Sequence, residues 1–118
     1  PVPLGAVREA NRGYNQAALL ARPFAWGVGL YYNPKALIRV RETDSQVDLS
    51  YSGRRKNVQN AFKARSEIVS GKNVMVVDDI TTSGSTLDAC AAALFEAHAE
   101  HVYGLTLART IFSHPDNP

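Results

Sequence analysis

Hydrophobic positions divide the C-terminal half of the chain into three short elements. A continuous apolar run at 74–77 predicts a buried β-strand, and apolar residues with helical spacing at 87–98 predict an amphipathic helix. A second apolar run at 102–108 predicts another strand. A strand, a helix and a strand in this order form a βαβ unit, so we expect an α/β fold with a mostly parallel central sheet flanked by helices.

The N-terminal half predicts one further helix. Residues 15–25 have helical spacing with Asn15 as an N-cap and Leu19 among the residues expected to face inward. Pro23 interrupts this pattern, which predicts a kink or an early end near Arg22 because proline cannot donate the helical hydrogen bond.

The middle of the chain is mostly polar. An alternating pattern at 36–41 predicts a strand, and a short helix is predicted at 56–63. The connection at 42–55 is long for so small a domain, and long loops in compact domains are commonly lids or binding loops.

Composition narrows the class of protein. The 118 residues are enough for one domain, expected over 1–118, and the net charge of +2 does not by itself argue for nucleic acid. The single cysteine, Cys90, excludes an internal disulfide and is expected to be buried on the helix at 87–98. No apolar stretch is long enough for a membrane span and no signal peptide is visible, so we expect a cytoplasmic protein. The chain begins at Pro1, and we expect it to be a fragment lacking the N-terminal part of its parent protein.

Candidate chemistry is concentrated in one segment, Val-Met-Val-Val-Asp-Asp-Ile-Thr-Thr-Ser-Gly-Ser-Thr at 74–86. A loop that opens a helix presents free backbone N–H groups and the positive end of the helix dipole, which together bind phosphate. Asp78 and Asp79 would repel that phosphate and instead suit hydroxyls, a bound metal, or both. The implied ligand is a sugar phosphate, and the alternative is an ordinary turn with a capped helix start.

Eleven consecutive positions, 76–86, resemble the signature of type I phosphoribosyltransferases and match it without a gap. The resemblance implies the fold of that family, with a flexible hood loop, and implies that Asp78 and Asp79 meet the ribose hydroxyls of phosphoribosyl pyrophosphate. The residues implied to hold its 5-phosphate are Thr82, Ser83, Gly84, Ser85 and Thr86.

Other stretches resemble the ComF competence-protein family. One is the Arg-Gly-Tyr-Asn-Gln block at 12–16, and the others are a run with Arg39, Arg41, Thr43, Gln46 and Leu49 and a block with Arg54, Asn57, Ala61 and Phe62. The resemblance covers nearly the whole chain. Pro23 departs from it, and the N-terminal cysteine-rich zinc-binding segment that such proteins often carry is not found in these 118 residues.

The type I resemblance also implies roles for residues outside the signature. Arg12, Gly13 and Asn15 would meet pyrophosphate, although Asn15 could instead simply cap a helix. Residues 42–57 would form the hood that closes over the substrate, with Thr43, Gln46, Asn57 and the catalytic candidate Arg54 as its contacts. The alternative for this region is a solvated surface loop.

Three functions remain open at this point. The first is a phosphoribosyltransferase with an unknown acceptor, using Mg²⁺ bound mainly by the substrate's own oxygens and requiring no dedicated metal residues. The second is a module that senses the ligand without catalysis. The third, implied by the ComF resemblance, is the handling of single-stranded DNA by a basic strip with stacking partners: Arg39, Arg41, Arg54, Arg55, Lys56 and Lys63, with Tyr51 and Phe62. The same strip suits a pyrophosphate hood or a solvated basic face, and a homodimer is left open.

Overall fold

The computed structural model describes residues 1–41, 60–81 and 83–109. The helices in these parts are α1 (Ala6–Arg12), α2 (Gln16–Val28), α3 (Ser66–Val69) and α4 (Ser85–Glu96). The strands are β1 (Leu37–Arg39), β2 (Phe62–Ala64), β3 (Asn73–Thr81) and β4 (His101–Arg109). The order β3, α4, β4 is the predicted βαβ unit.

Strands β3 and β4 pair in parallel, from Asn73 opposite His101 to Thr81 opposite Arg109, with α4 as the connection. Strands β1 and β2 form a separate antiparallel pair. The α/β fold is confirmed, although within the described residues the parallel sheet has only these two strands and is smaller than expected. On β3, the Val77 carbonyl accepts a hydrogen bond of 2.8 Å from the Val2 N–H, so the N-terminal segment lies beside this strand.

The core lies between α4 and the strands. Cys90 and Leu94 of α4 are fully buried, together with Val69 of α3 and Val76 of β3. Cys90 is therefore the small buried residue that the helical pattern predicted, and burial raises the pKa of its thiol to about 12.

Helix α2 begins as predicted, but the face that it buries differs in part from the expected one. The Asn15 side chain accepts hydrogen bonds from the backbone N–H groups of Ala17 and Ala18, as an N-cap should. Successive turns bury Ala17, Ala21 and Ala25, and α2 packs on β3. Leu19, which was expected inside, is 61% exposed because it lies half a turn away from this alanine stripe.

The predicted break at Pro23 is wrong. Helix α2 continues through Pro23 to Val28 and ends at Gly29, whose left-handed backbone (φ 77°) lets its N–H donate to the Ala25 carbonyl. Pro23 has no backbone N–H, so the carbonyl of Leu19, four residues earlier, lacks its helical hydrogen bond. Both residues lie on the exposed side of the helix, where water can solvate that carbonyl.

Two other local predictions differ from the structure. Helix α1 was not predicted, because residues 6–12 have no apolar periodicity, yet they form a helix between Gly5 and Gly13. The helix predicted at 56–63 is wrong over its described part, since Asn60 has a φ of 58° and Phe62 begins β2. The rest of that prediction lies outside the described residues.

Candidate phosphate and diol site

A cavity of about 250 Å³ lies beside the C-terminal end of β3, between α2 and the start of α4. The structure brings eight of the predicted site residues to its walls: Arg12, Asn15, Asp78, Asp79, Ser83, Gly84, Ser85 and Thr86. These residues come from both halves of the chain, so the fold unites the acidic pair and the loop with the block at 12–16.

The two carboxylates do not follow β3, as the sequence suggested, but lie within it. Strand β3 continues to Thr81 because Asp78 pairs with Thr106, and the pairing with β4 resumes at Ile80. The Asp79 N–H donates to Asp78 Oδ1 at 2.9 Å. Burial, followed by a hydrogen bond between the two side chains, raises the pKa of Asp78 to about 7. A ligand that requires the Asp78 carboxylate to be ionised must therefore compete with its protonation near neutral pH.

The loop after β3 is held by its own hydroxyls. The Ser83 and Ser85 Oγ atoms are 2.7 Å apart, and the Ser85 N–H donates to Ser83 Oγ at 3.3 Å. Ser85 is only 3% exposed, which fixes the first residue of α4. The first turn of α4 therefore lies beside the cavity, with Ser85 and Thr86 among the lining residues, as an anion site at a helix N-terminus requires.

Gly84 lies at the turn from this loop into α4. Its φ of 81° is in the left-handed region, a backbone conformation that residues other than glycine rarely adopt. A Cβ atom built on Gly84 meets no other atom within 4 Å. The backbone conformation by itself therefore explains a glycine at this position.

Arg12, Asn15 and Gln16 of the block at 12–16 line another wall of the cavity. Arg12 Nη1 donates to Gln16 Oε1 at 3.1 Å, and Asn15 Nδ2 donates to the Val2 carbonyl at 3.0 Å. Since Asn15 also caps α2, its side chain has the structural role that we left as the alternative. Gly13 is not among the lining residues. It is the C-cap of α1, with a left-handed backbone (φ 85°).

Arg39 is a lining residue that we did not assign to the site. Its Nε donates to the Pro3 carbonyl at 3.0 Å, and its guanidinium lies 4.7 Å from the ring centroid of Phe62. Its positive charge acts against the rise in the pKa of Asp78. The sequence placed Arg39 on a strand but gave no sign that this strand passes near the acidic pair.

The phosphoribosyl transferase domain family matches residues 10–111. The chain belongs to this family. The DNA utilization protein YhgH of Salmonella typhi is 37% identical over 110 residues, which are 93% of this chain and 48% of that protein. Competence protein F of Haemophilus influenzae is 36% identical over 92% of this chain and 48% of its own length, and competence protein ComFC of Bacillus subtilis is 30% identical over 93% and 43%.

These relatives confirm a ComF-type phosphoribosyl transferase domain. The chain spans about half the length of the curated relatives it matches. No solved structure matches it.

Several predicted site residues of this phosphoribosyl transferase domain lie outside the described residues, so their roles stay predictions: Thr43, Gln46, Arg54, Asn57 and Thr82. Within 1–41, 60–81 and 83–109, no three His, Cys, Asp or Glu side chains are grouped so that they could hold a metal ion. The helices in the same ranges are too short or too polar to cross a membrane.

Proposed function

We propose that the domain binds phosphoribosyl pyrophosphate together with Mg²⁺ and transfers the phosphoribosyl group to a nitrogenous acceptor. The observation that carries this proposal is that one cavity contains both a site suited to an anion and a site suited to hydroxyl groups. The start of α4, led by Gly84, suits a phosphate, and the pair of Asp78 and Asp79 suits a diol.

In this arrangement the 5-phosphate binds at the loop from Ser83 to Thr86, and the ribose hydroxyls bind at the carboxylates. The diphosphate extends toward the wall that carries Arg12 and Arg39, whose guanidinium groups suit its charge. The bond from ribose C1 to the diphosphate oxygen breaks while a bond from the acceptor nitrogen forms, and pyrophosphate leaves with the electron pair.

The residues of the cavity fit a magnesium ion carried by the substrate. Mg²⁺ prefers oxygen ligands and retains several waters, and the Asp78 and Asp79 carboxylates offer oxygen acceptors to those waters. When bound, the ion would neutralise the charge that develops on the departing pyrophosphate.

Thermal shift with Mg²⁺ and phosphoribosyl pyrophosphate tests the binding step. We expect the melting temperature to rise, and we expect Asp79→Asn to abolish the rise while Glu100→Gln, which changes an exposed acid between α4 and β4, preserves it. The absence of any shift in the unmutated protein would contradict both catalysis and ligand sensing. Pyrophosphate release across a panel of bases then separates an enzyme from a sensor.

A second candidate function, the handling of single-stranded DNA, is favoured by the names of the relatives, which refer to DNA utilization and competence. Of the predicted basic strip, Arg41 and Lys63 are exposed, but Phe62 is 7% exposed and lies beneath the Arg39 guanidinium. Phe62 is therefore closed to base stacking. Salt-dependent oligonucleotide binding that is lost when Arg54, Arg55 and Lys56 are neutralised together would support the strip.

A further inference from the structure

Positive charge is concentrated in the first part of the chain. Residues 1–65 contain eleven Lys and Arg but four Asp and Glu, whereas residues 66–118 contain two and seven. No acid occurs between Glu9 and Glu42, a stretch that holds five Lys and Arg and five of the ten aromatic residues. Such segregation of charge suits a polyanionic partner, which the small net charge of the whole chain conceals.

The aromatic residues of this stretch are largely at the surface. Trp26 is 65% exposed, Tyr31 is fully exposed, and Tyr14 is also exposed. These rings contrast with Phe62, which is buried. Exposed rings combined with cations are what single-stranded nucleic acid requires, because bases stack on the rings and phosphates pair with the cations.

Helix α2 organises part of this surface. Its alanine stripe packs inward, and the opposite face carries Leu19, Arg22 and Trp26. The Arg22 guanidinium lies 4.6 Å from the centre of the Trp26 ring, so a cation and a stacking surface are already adjacent. Leu19 and Trp26 are two turns apart, about 10 Å along the helix, which is room for a few stacked bases.

We propose that the outer face of α2, together with Tyr31, binds single-stranded DNA. The proposal rests on the second candidate function and locates it away from the cavity and from residues 54–56. Trp26 stacks on a base, Arg22 contacts a neighbouring phosphate, and Lys35 adds positive charge further along the same acid-free stretch.

The charge of this face argues against two other partners, a second copy of the chain and a membrane surface. Two copies of a face that lacks acids and carries Arg22 would repel each other on close approach. A helix lying on a membrane surface would combine a broad apolar face with several cations on its polar face, whereas α2 contains a single cation and buries its alanine stripe against β3.

Trp26 is the only tryptophan of the chain, so its fluorescence reports directly on this face. Titration with an oligothymidine of about 12 nucleotides should quench the emission to a plateau, and added salt should weaken the binding. A duplex of equal length should bind more weakly, because its bases are already stacked. Quenching that depends on protein concentration without DNA would instead indicate self-association and overturn the proposal.

Matched variants locate the site. By anisotropy of a labelled oligothymidine, Trp26→Leu should weaken binding about tenfold, and Arg22→Gln should also weaken it, with a smaller salt dependence. Tyr103→Leu and Lys72→Gln, which change an exposed ring and an exposed cation of the acidic part, should leave binding unchanged. Unchanged binding in the Trp26 and Arg22 variants would overturn this surface.

The same variants separate this proposal from the others. Trp26→Leu should keep the thermal shift with Mg²⁺ and phosphoribosyl pyrophosphate, which also shows that it is folded, and Asp79→Asn should keep the binding of DNA. If the unmutated protein binds no oligonucleotide, the DNA-handling function itself fails. Binding that survives Trp26→Leu but is lost when residues 54–56 are neutralised would leave that function intact and reject only the α2 surface.

Discussion

The two walls of the cavity are built in different ways. The C-terminal wall is continuous in sequence, and its polar groups bond to their neighbours, Asp79 to Asp78 and Ser85 to Ser83. The N-terminal wall joins separate elements through long-range bonds to the segment at 2–3. There the Val2 carbonyl accepts from Asn15 and the Pro3 carbonyl accepts from Arg39. The first wall is thus a local motif, and the second depends on tertiary structure.

The segment at 2–3 connects both walls. The Val2 N–H donates to the Val77 carbonyl, immediately before the acidic pair, while the carbonyls of the same segment hold the opposite side. The segment at 2–3 contributes only its backbone N–H and C=O groups to these bonds. The identity of its side chains therefore does not reveal these bonds. The four variants that follow, from the largest expected effect to the smallest, test whether the two walls differ in this way.

The largest effect should come from removing the support of the C-terminal wall. Leu94→Ala leaves a cavity at a fully buried position on the inner face of α4 and should lower the free energy of unfolding by about 2–5 kcal/mol. Leu19→Ala, the same change on the exposed face of α2, should cost less than about 0.5 kcal/mol. Urea unfolding measures both variants, and equal losses would contradict the assignment of the core to α4.

The acidic pair should make stability depend on pH. The pKa of Asp78 is raised from 3.8 to about 7 in the folded protein, so the folded state binds the proton more tightly than the unfolded state. Stability from this group is fully present below about pH 4 and is lost as the pH rises toward about 7. The Asp78→Asn side chain cannot ionise, so this variant does not lose that stability. Its unfolding free energy should exceed that of the unmutated protein by near zero at about pH 4 and by on the order of a few kcal/mol at about pH 7.

Urea unfolding at several pH values checks this dependence, with Glu100→Gln, an exposed acid between α4 and β4, as the control. A gain that is the same at pH about 4 and pH about 8 would show that Asp78 is not destabilised by ionisation. The same variant should lose the thermal shift with Mg²⁺ and phosphoribosyl pyrophosphate, so stability and ligand binding should change in opposite directions.

The contrast between the walls also explains what could be predicted from the sequence. The βαβ unit and the acidic-pair loop depend on apolar periodicity and on a contiguous motif, and the family match and the parallel pairing of β3 with β4 confirm the fold they indicated. The end of β3 was placed too early, because residues 78–81, three of which are polar, remain in the strand through its pairing with β4. A pattern of apolar residues does not contain that pairing.

The N-terminal wall was predicted only where its interactions are local. The Asn15 cap was found because it acts on residues two and three positions away. Arg39 was not assigned to the site because it is anchored by Pro3, 36 positions earlier, and by Phe62 on the neighbouring strand. Leu19 was placed inside on helical spacing alone, but close packing on β3 selects the face of small alanines.

Asn15 tests whether the N-terminal wall acts through structure or through direct contact. Asn15→Ala removes the cap of α2 and the bond to Val2, which should lower the unfolding free energy by about 1–2 kcal/mol. Below the melting temperature, affinity for Mg²⁺ and phosphoribosyl pyrophosphate should remain nearly unchanged in calorimetric titration. Asn33→Ala, whose side chain accepts one exposed local bond, is the milder control. A large loss of affinity with little loss of stability would instead make Asn15 a direct contact to the ligand.

The smallest change in stability should come from Gly84, the glycine between the phosphate loop and α4. Gly84→Ala and Gly29→Ala both place a Cβ at a left-handed position, with φ of 81° and 77°, and neither new atom meets a neighbour within 4 Å. Each should therefore lower the unfolding free energy by a similar amount, about 1 kcal/mol. Only Gly84→Ala should also weaken the binding of Mg²⁺ and phosphoribosyl pyrophosphate, because strain there shifts the first turn of α4 relative to the cavity. If both variants bind the ligand like the unmutated protein, the start of α4 is not the phosphate site. If both weaken binding equally, the effect follows from stability alone.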